Sequence, residues 1–252
     1  MTKKITTKEL SRLNELIHQY FGGEINIHVM HGFLVSYLCS GLSEPFIGVL
    51  FGGDENGVIF EMIDAPDPIT NKEFAELLIG KLYNSAIELS NRGNLILPLI
   101  SANLYNVEFN IQSLTTSSKK NLLDWYMGFY SGYTNIWDHK LIGNYIEPRS
   151  GLPEEQDISS QRFIMALHVH YVAAYNLIME LKPKYKNKDF ADNIKKLKGT
   201  VERLSSEQIA NYDMLSKERS SYLNCTTILI EVVNEAKDYV RNKKQNNLET
   251  RH

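Results

Sequence analysis

The chain has 252 residues, 43% hydrophobic and 23% charged, which excludes a disordered chain and allows one large domain or a domain with an appendage. A formal net charge of −3 gives no overall attraction to phosphate backbones or anionic membranes, so any basic partner surface has to be local. No apolar run reaches the roughly 18 residues of a membrane span, the opening MTKKITTKEL has no apolar signal core, and the natural expectation is a cytoplasmic protein with no membrane partner.

In chain order, Thr6-Thr7-Lys8-Glu9 matches the S/T-x-x-E capping box and predicts a helix with Thr6 as N-cap. Leu10, Leu13, Ile17, Tyr20 and Phe21 recur at helical spacing until Gly22-Gly23 stops it. Asn26 can cap the next helix, residues 27–42, and its reading IHVMHGFLVSYLCSGL places Gly32, Ser36 and Ser40 four apart in an apolar run. Residues 122–133, LLDWYMGFYSGY, repeat the device with Gly128 and Gly132. Positions four apart share a helix face, so each run carries a strip almost free of side chain where a second backbone can approach. Helical glycine costs about 1 kcal/mol relative to alanine, and mutual packing of the two runs is the expected compensation.

Between these runs, Pro45 suits the first turn of a short helix over residues 46–51. The loop GGDENG and the punctuation Asp64-Ala65-Pro66-Asp67-Pro68 follow. A second capping box, Thr70-Asn71-Lys72-Glu73, predicts a helix with Phe74, Leu77, Leu78, Leu82, Ile87 and Leu89 inward, ending at Gly93. Residues 94–104, containing Pro98, read as an extended connection. Ser117 or Ser118 can cap the second central helix, which is followed by a loop over residues 143–157. The helix from Ser160 to about Leu181 is apolar nearly all round, the mark of a buried helix.

Lys182-Pro183 ends that helix and opens a composition shift. From Lys182 to Lys198 there are seven lysines against Asp189 and Asp192, a local net of +5. Residues 189–204 and a last arm carrying Ile209, Tyr212, Leu215, Tyr222, Cys225, Leu229, Val232 and Val233 read as a helical hairpin. It would pack on the preceding domain or pair with a second copy of the chain as a homodimer. The expected architecture is all-α, a multi-helix bundle over residues 1–183 with a C-terminal helical hairpin and polar tail over residues 184–252. The two cysteines, Cys39 and Cys225, lie in apolar helical patterns and fit reduced, buried thiols, with a single long-range bridge left open.

The combination of His31-Gly32-Phe33-Leu34, Cys39-Ser40-Gly41, Pro98-Leu99 and Trp125-Tyr126-Met127-Gly128-Phe129-Tyr130-Ser131-Gly132 resembles the YecA/YgfB-like family of uncharacterised bacterial all-helical proteins, over roughly residues 8–180. The resemblance implies a helical bundle and a bacterial cytoplasmic protein without an established catalytic mechanism. The small-residue strips, with the residues beside them, make His31, Gly32, Trp125, Gly128 and Gly132 the expected helix crossing. Some longer members end in a Cys- and His-rich zinc motif. This chain departs from that pattern, having no cysteine after Cys225.

Several residues could carry chemistry. His28 and His31, three apart on one helix, could hold a transition metal given a third ligand, but no further ligand stands at a suitable spacing, and structural packing is the favoured reading. His168 and His170 point to opposite sides of a helix and cannot share an ion. The loop from Gly52 places Asp54, Asn56 and Gly57 in calcium-loop register, yet Gly52 and Ile63 stand where carboxylates are needed. Glu61, Asp64 and Asp67 form an acidic turn. The lysine run could touch phosphates, but it lacks arginine, and a solvated surface is favoured over nucleic acid. Fourteen tyrosines, with Tyr126, Tyr130 and Tyr133 clustered on the second central helix, suggest a contact surface. Hydrolase, P-loop, dinucleotide and metalloprotease signatures are absent. The reading is a non-enzymatic adaptor or regulatory protein that binds another protein and needs no cofactor. The rivals are a metal-dependent enzyme or binding protein using His28 and His31, and nucleic-acid binding through Lys182 to Lys198.

Overall fold

The computed structural model describes residues 5–40, 42, 45–51, 68–91, 99, 114–137, 154–181, 188–204, 235 and 238. Among these, every regular element is a helix, so the fold is all-α: α1 (Thr7–Phe21), α2 (Ile27–Ser40), α3 (Phe46–Phe51), α4 (Pro68–Ala75), a π-helical segment (Glu76–Tyr83), α5 (Asn84–Asn91), α6 (Thr116–Ile136), α7 (Glu154–Leu181) and α8 (Lys188–Leu204). No helix among the described residues is long and apolar enough to cross a membrane. The chain forms two compact units, Met1–Leu38 with Leu42–Ser101 and Lys120–Trp137, and Cys39–Gly41 with Ala102–Lys119 and Asp138–His252.

In the first unit the capping box forms as expected. The Glu9 backbone N–H donates to Thr6 Oγ1 at 3.3 Å while the Thr6 N–H donates to Glu9 Oε2 at 2.8 Å. The helix ends at Gly22, whose φ of 80° lies in the region that favours glycine. Leu13, Leu16, Ile17 and Tyr20 are buried, and the Tyr20 ring meets Phe74 edge-on at 4.9 Å. That contact ties α1 to the long helix formed by α4, the π-helical segment and α5, which is continuous because Ala75 and Asn84 both have helical φ and ψ. The long helix starts at Pro68, where proline's fixed φ and missing N–H fit the first helical position. Thr70 therefore lies inside the helix instead of capping it, and Glu73 pairs with Arg12 of α1.

The π winding has a reason in the apolar pattern. Phe74, Leu78, Leu82 and Ala86 are all buried and stand a strict four residues apart. Four exceeds the α-helical repeat of 3.6, so a pure α-helix would carry this stripe progressively around its axis. A stretch wound with i→i+5 bonds compensates and keeps the stripe against the core, in the way that any hydrophobic period selects its own winding.

Around these helices, α2 and α6 cross with their backbones in contact. A Cβ built on Gly32 would collide with the Trp125 carbonyl and fall 2.9 Å from the Phe129 nitrogen. One on Gly128 would collide with the Val29 carbonyl and fall 2.9 Å from the Phe33 nitrogen. At Gly132 the obstacle is the Ser36 side chain, with its Cβ at 2.6 Å. Contacts advance together along both helices, from Asn26 with Asp124 to Ser36 with Trp137, so α2 and α6 run parallel. Parallel neighbours cannot be joined by a tight turn, and some seventy intervening residues make the return. The cap of α6 is Thr115, ahead of the expected Ser117 or Ser118: its Oγ1 accepts from the Ser118 N–H at 3.1 Å.

In the second unit, α7 begins at Glu154, six residues before the expected Ser160, and buries Phe163, Ala166, Leu167, His170, Tyr171, Ala173, Ala174, Leu177 and Ile178. The amphipathic α8 packs on it through Phe190 and Ile194, and Lys119 donates to Glu180 at 2.6 Å. Past Leu204 the expected hairpin and its dimer seam lie outside the described residues, as do most of the segment 94–104, the GGDENG loop and the acidic turn.

The crossing predicts a graded glycine series under guanidinium denaturation. Gly32→Ala and Gly128→Ala should each lose about 3 kcal/mol, the upper end of overpacking costs, because the obstacle is backbone. Gly132→Ala should lose about 1–2 kcal/mol, since a serine side chain can shift. Gly48→Ala, whose Cβ would meet nothing within 4 Å, should gain up to about 1 kcal/mol.

Candidate functional site

Polar side chains gather where α2 begins. The Asn26 Oδ1 accepts from the His28 and Val29 N–H groups at 2.9 and 3.1 Å, and Asn14 Oδ1 of α1 accepts from Ile27 N–H at 2.8 Å. These bonds satisfy N–H groups that no helical carbonyl can reach. The Asn26 amide is then free to donate to Asp124 Oδ2 of α6 at 2.7 Å, and Lys120 Nζ donates to the same oxygen at 2.8 Å. Asp124 is a buried carboxylate, 6% exposed, and a carboxylate in that position needs such donors.

His28 sits half-buried in the same first turn, and its buried Nδ1 has no hydrogen-bond partner. Burial lowers its pKa below the ordinary histidine value, with Lys120 acting in the same direction and Asp124 against it. His31, one turn further on, is 3% exposed and accepts at Nδ1 from the Trp125 indole at 3.2 Å. An indole N–H only donates, so the imidazole proton belongs on Nε2. Burial foremost, with the nearby His28 adding to it, lowers the His31 pKa from 6.5 to about 3. His31 is a neutral packing group whose Nδ1 lone pair is already engaged. Among the described residues no group of three or more His, Cys, Asp or Glu side chains is arranged to hold a metal ion.

Trp137 closes the far end of the crossing, donating to the Ser36 carbonyl at 3.0 Å and to its hydroxyl at 2.9 Å. Gly32, Gly128 and Gly132 lie between the two indole contacts. The expected tyrosine surface needs correction. Tyr126 and Tyr130 are 2% and 3% exposed and stack on each other at 6.3 Å, while the half-buried Tyr133 packs against Trp137 at 5.1 Å. The spacing of four that clusters Tyr126 with Tyr130 also puts both on the face turned to the core, where large rings bury most area. Cys39 is buried, and Cys225 lies outside the described residues. Of the lysine run, residues 182–187 are likewise outside, and on α8 Lys188, Lys195 and Lys196 share the exposed surface with Asp189 and Asp192.

One feature has no local signal in the sequence. A shallow groove of about 390 Å³ between α1 and the long helix is lined by Lys8, Glu9, Arg12, Glu73, Glu76 and Leu77. Arg12 forks onto both Glu73 oxygens at 3.0 and 2.8 Å across 61 residues of chain. Glu9 accepts from Lys81 and, within the capping box, from Thr6; these bonds hold its pKa at about 2. Glu9, Arg12 and Glu73 of the groove are thereby each held in an ion pair.

The buried histidine makes stability pH-dependent. The unfolded chain takes up the His31 proton near pH 6.5 and the folded chain only near 3, so stability is full above 6.5 and falls on acidification. The expected slope is about 1.4 kcal/mol per pH unit between those values, with His28 adding in the same direction. Denaturant titrations at a series of pH values should show it, and His31→Gln, which keeps an acceptor for the indole, should remove most of it.

Comparison of the chain with protein-family models, curated proteins and solved structures finds no match.

Proposed function

We propose that this chain is a non-enzymatic adaptor or regulatory protein of the YecA/YgfB-like kind, acting by binding another protein. The observation that carries the reading is how the motif residues are spent. His31, Gly32, Trp125, Gly128 and Gly132 are all engaged in holding α2 against α6, so the segment that carries the family resemblance is a scaffold. The most reactive side chains at the crossing have structural tasks: His31 accepts from an indole and Asp124 accepts from Asn26 and Lys120. A scaffold of this type presents a partner surface elsewhere. Burial of Tyr126 and Tyr130 speaks against the aromatic helix as that surface and supports the other candidate, the chain after residue 183.

The test is affinity capture from extracts of the source cells with the full chain and with a chain ending at Pro183, each checked for helical content by circular dichroism. The adaptor reading expects one protein partner, stoichiometric with the full chain and reduced at least tenfold with the shortened one. Purified full chain that captures no protein but carries a stoichiometric metal ion, or capture that disappears on nuclease treatment, would overturn it.

A further inference from the structure

We propose that the long helix carries one surplus residue, Gly80, and that Gly80 and Asn84 together form a phase-setting device, which turns the two halves of one helix so that each meets its partner. The first half grips α1, through Phe74 against Tyr20 and Glu73 on Arg12. The second half faces α3, where Tyr83 stacks on Phe46 at 5.6 Å. From Phe74 to Ala86 the chain advances twelve residues, about 1,200° of α winding and so about 120° past three full turns. An uninterrupted α-helix would turn Ala86 away from the core and bring Lys81 and Ser85 to the face of Phe74. Eleven residues would make about 1,100°, within about 20° of three turns. The helix is one residue too long for its own apolar stripe, and the π winding absorbs that residue.

The hydrogen bonds identify which residue it is. The Asn84 N–H donates to the carbonyls of Ile79 and Lys81, five and three residues back, where an α-helix would use Gly80. A return from i→i+5 to i→i+4 bonding skips one carbonyl, and with Asn84 as the cap of the π segment the carbonyl skipped is that of Gly80. The Asn84 side chain supplies a donor in its place, from Nδ2 to the Gly80 oxygen at 3.2 Å. Gly80 has no packing task that demands glycine. It is exposed, and a Cβ built on it would meet the Glu76 Cγ at an ordinary 3.8 Å.

A bond that spans Gly80 and joins residues five apart joins the same two residues four apart once Gly80 is removed. The bond from Asn84 to Ile79 is one of these. Removal of Gly80 thus converts π into α winding with the partners kept, and it places Leu82 and Ala86 within about 20° of Phe74. In an ordinary α-helix, gain and loss of a residue each rotate everything beyond by about 100° and do equal harm. Here they are unequal, because loss relieves the surplus and gain doubles it. The device is independent of the adaptor reading and stands or falls without it.

The experiment uses the full chain with Gly80 deleted, with an alanine inserted after Gly80 and, as a control, with Ser131 deleted from the α-wound α6. Thermal midpoints are followed by circular dichroism, and the acceptor of the Asn84 N–H is read from NMR couplings across the hydrogen bond. Deletion of Gly80 should leave the midpoint within about 3 °C of the parent chain or raise it, with the Asn84 N–H still coupled to the Ile79 carbonyl. The insertion and the Ser131 deletion should each lower it by about 10 °C or more, because buried side chains are turned out of the core. Asn84→Ala should be more favourable by about 2 °C in the Gly80-deleted chain than in the parent, since only the parent has a skipped carbonyl to cover. A Gly80 deletion as damaging as the insertion overturns the proposal. So does an Asn84 N–H that moves to another carbonyl in the deleted chain, an Asn84→Ala effect equal in both chains, or a Ser131 deletion without effect, which would make tolerance a property of the whole fold.

Discussion

Direct contact between two helix backbones constrains most of this molecule. Where Gly32 lies on the Trp125 carbonyl and Gly128 on the Val29 carbonyl, there is no room for a side chain, and packing must be made by the residues that stand beside the strip. Phe33, Leu34, Leu123 and Phe129 are buried there without remainder, and each large apolar side chain removed from water contributes about 1.5–3 kcal/mol. That gain outweighs the roughly 1 kcal/mol by which each helical glycine weakens its own helix.

A contact this close also forces polar groups inside. Two indole N–H donors are carried in with the aromatic surface, and each finds an acceptor on α2: Trp125 at His31 and Trp137 at Ser36. Histidine at position 31 is therefore best understood as an acceptor of the right size. Its neutrality follows from burial, and neutrality suits the bond it makes. At the open end of the crossing the same logic yields the Asn26, Asp124 and Lys120 cluster, where the cap of one helix is tied to a carboxylate of the other. Cap, crossing and carboxylate are thus joined by one run of hydrogen bonds.

Parallel α2 and α6 leave the return path to other elements, and the long helix from Pro68 to Asn91 serves as the opposite wall. Its buried stripe meets α1 at Phe74, and Tyr83 stacks on Phe46 of α3 at 5.6 Å. The π-helical winding lets one continuous helix serve both contacts. Arg12 with Glu73 and Glu9 with Lys81 line the outside of that wall, and their mutual pairing makes the groove beside them a seam between helices.

Read by itself, the amino-acid order determined the helical class, the α1 capping box, the stop at Gly22, the amphipathic α8 and the two small-residue strips, because all of these are set by spacings of a few residues along one chain. It also offered His31, Gly32, Trp125, Gly128 and Gly132 as the residues of a helix crossing, and the bond and close approaches at those positions agree with it. Tertiary structure alone decided the rest. That α2 and α6 run parallel depends on the path of the chain between them, and that Tyr126 and Tyr130 turn inward depends on which face of α6 meets the core. Neither the fork of Arg12 on Glu73 nor the tie of Asn26 to Asp124 has a local signature, since 61 and 98 residues separate the partners. The π winding lies between the two cases. Its cause, apolar residues at a strict spacing of four, is written in the chain, but it acts only when there is a core for that stripe to stay against.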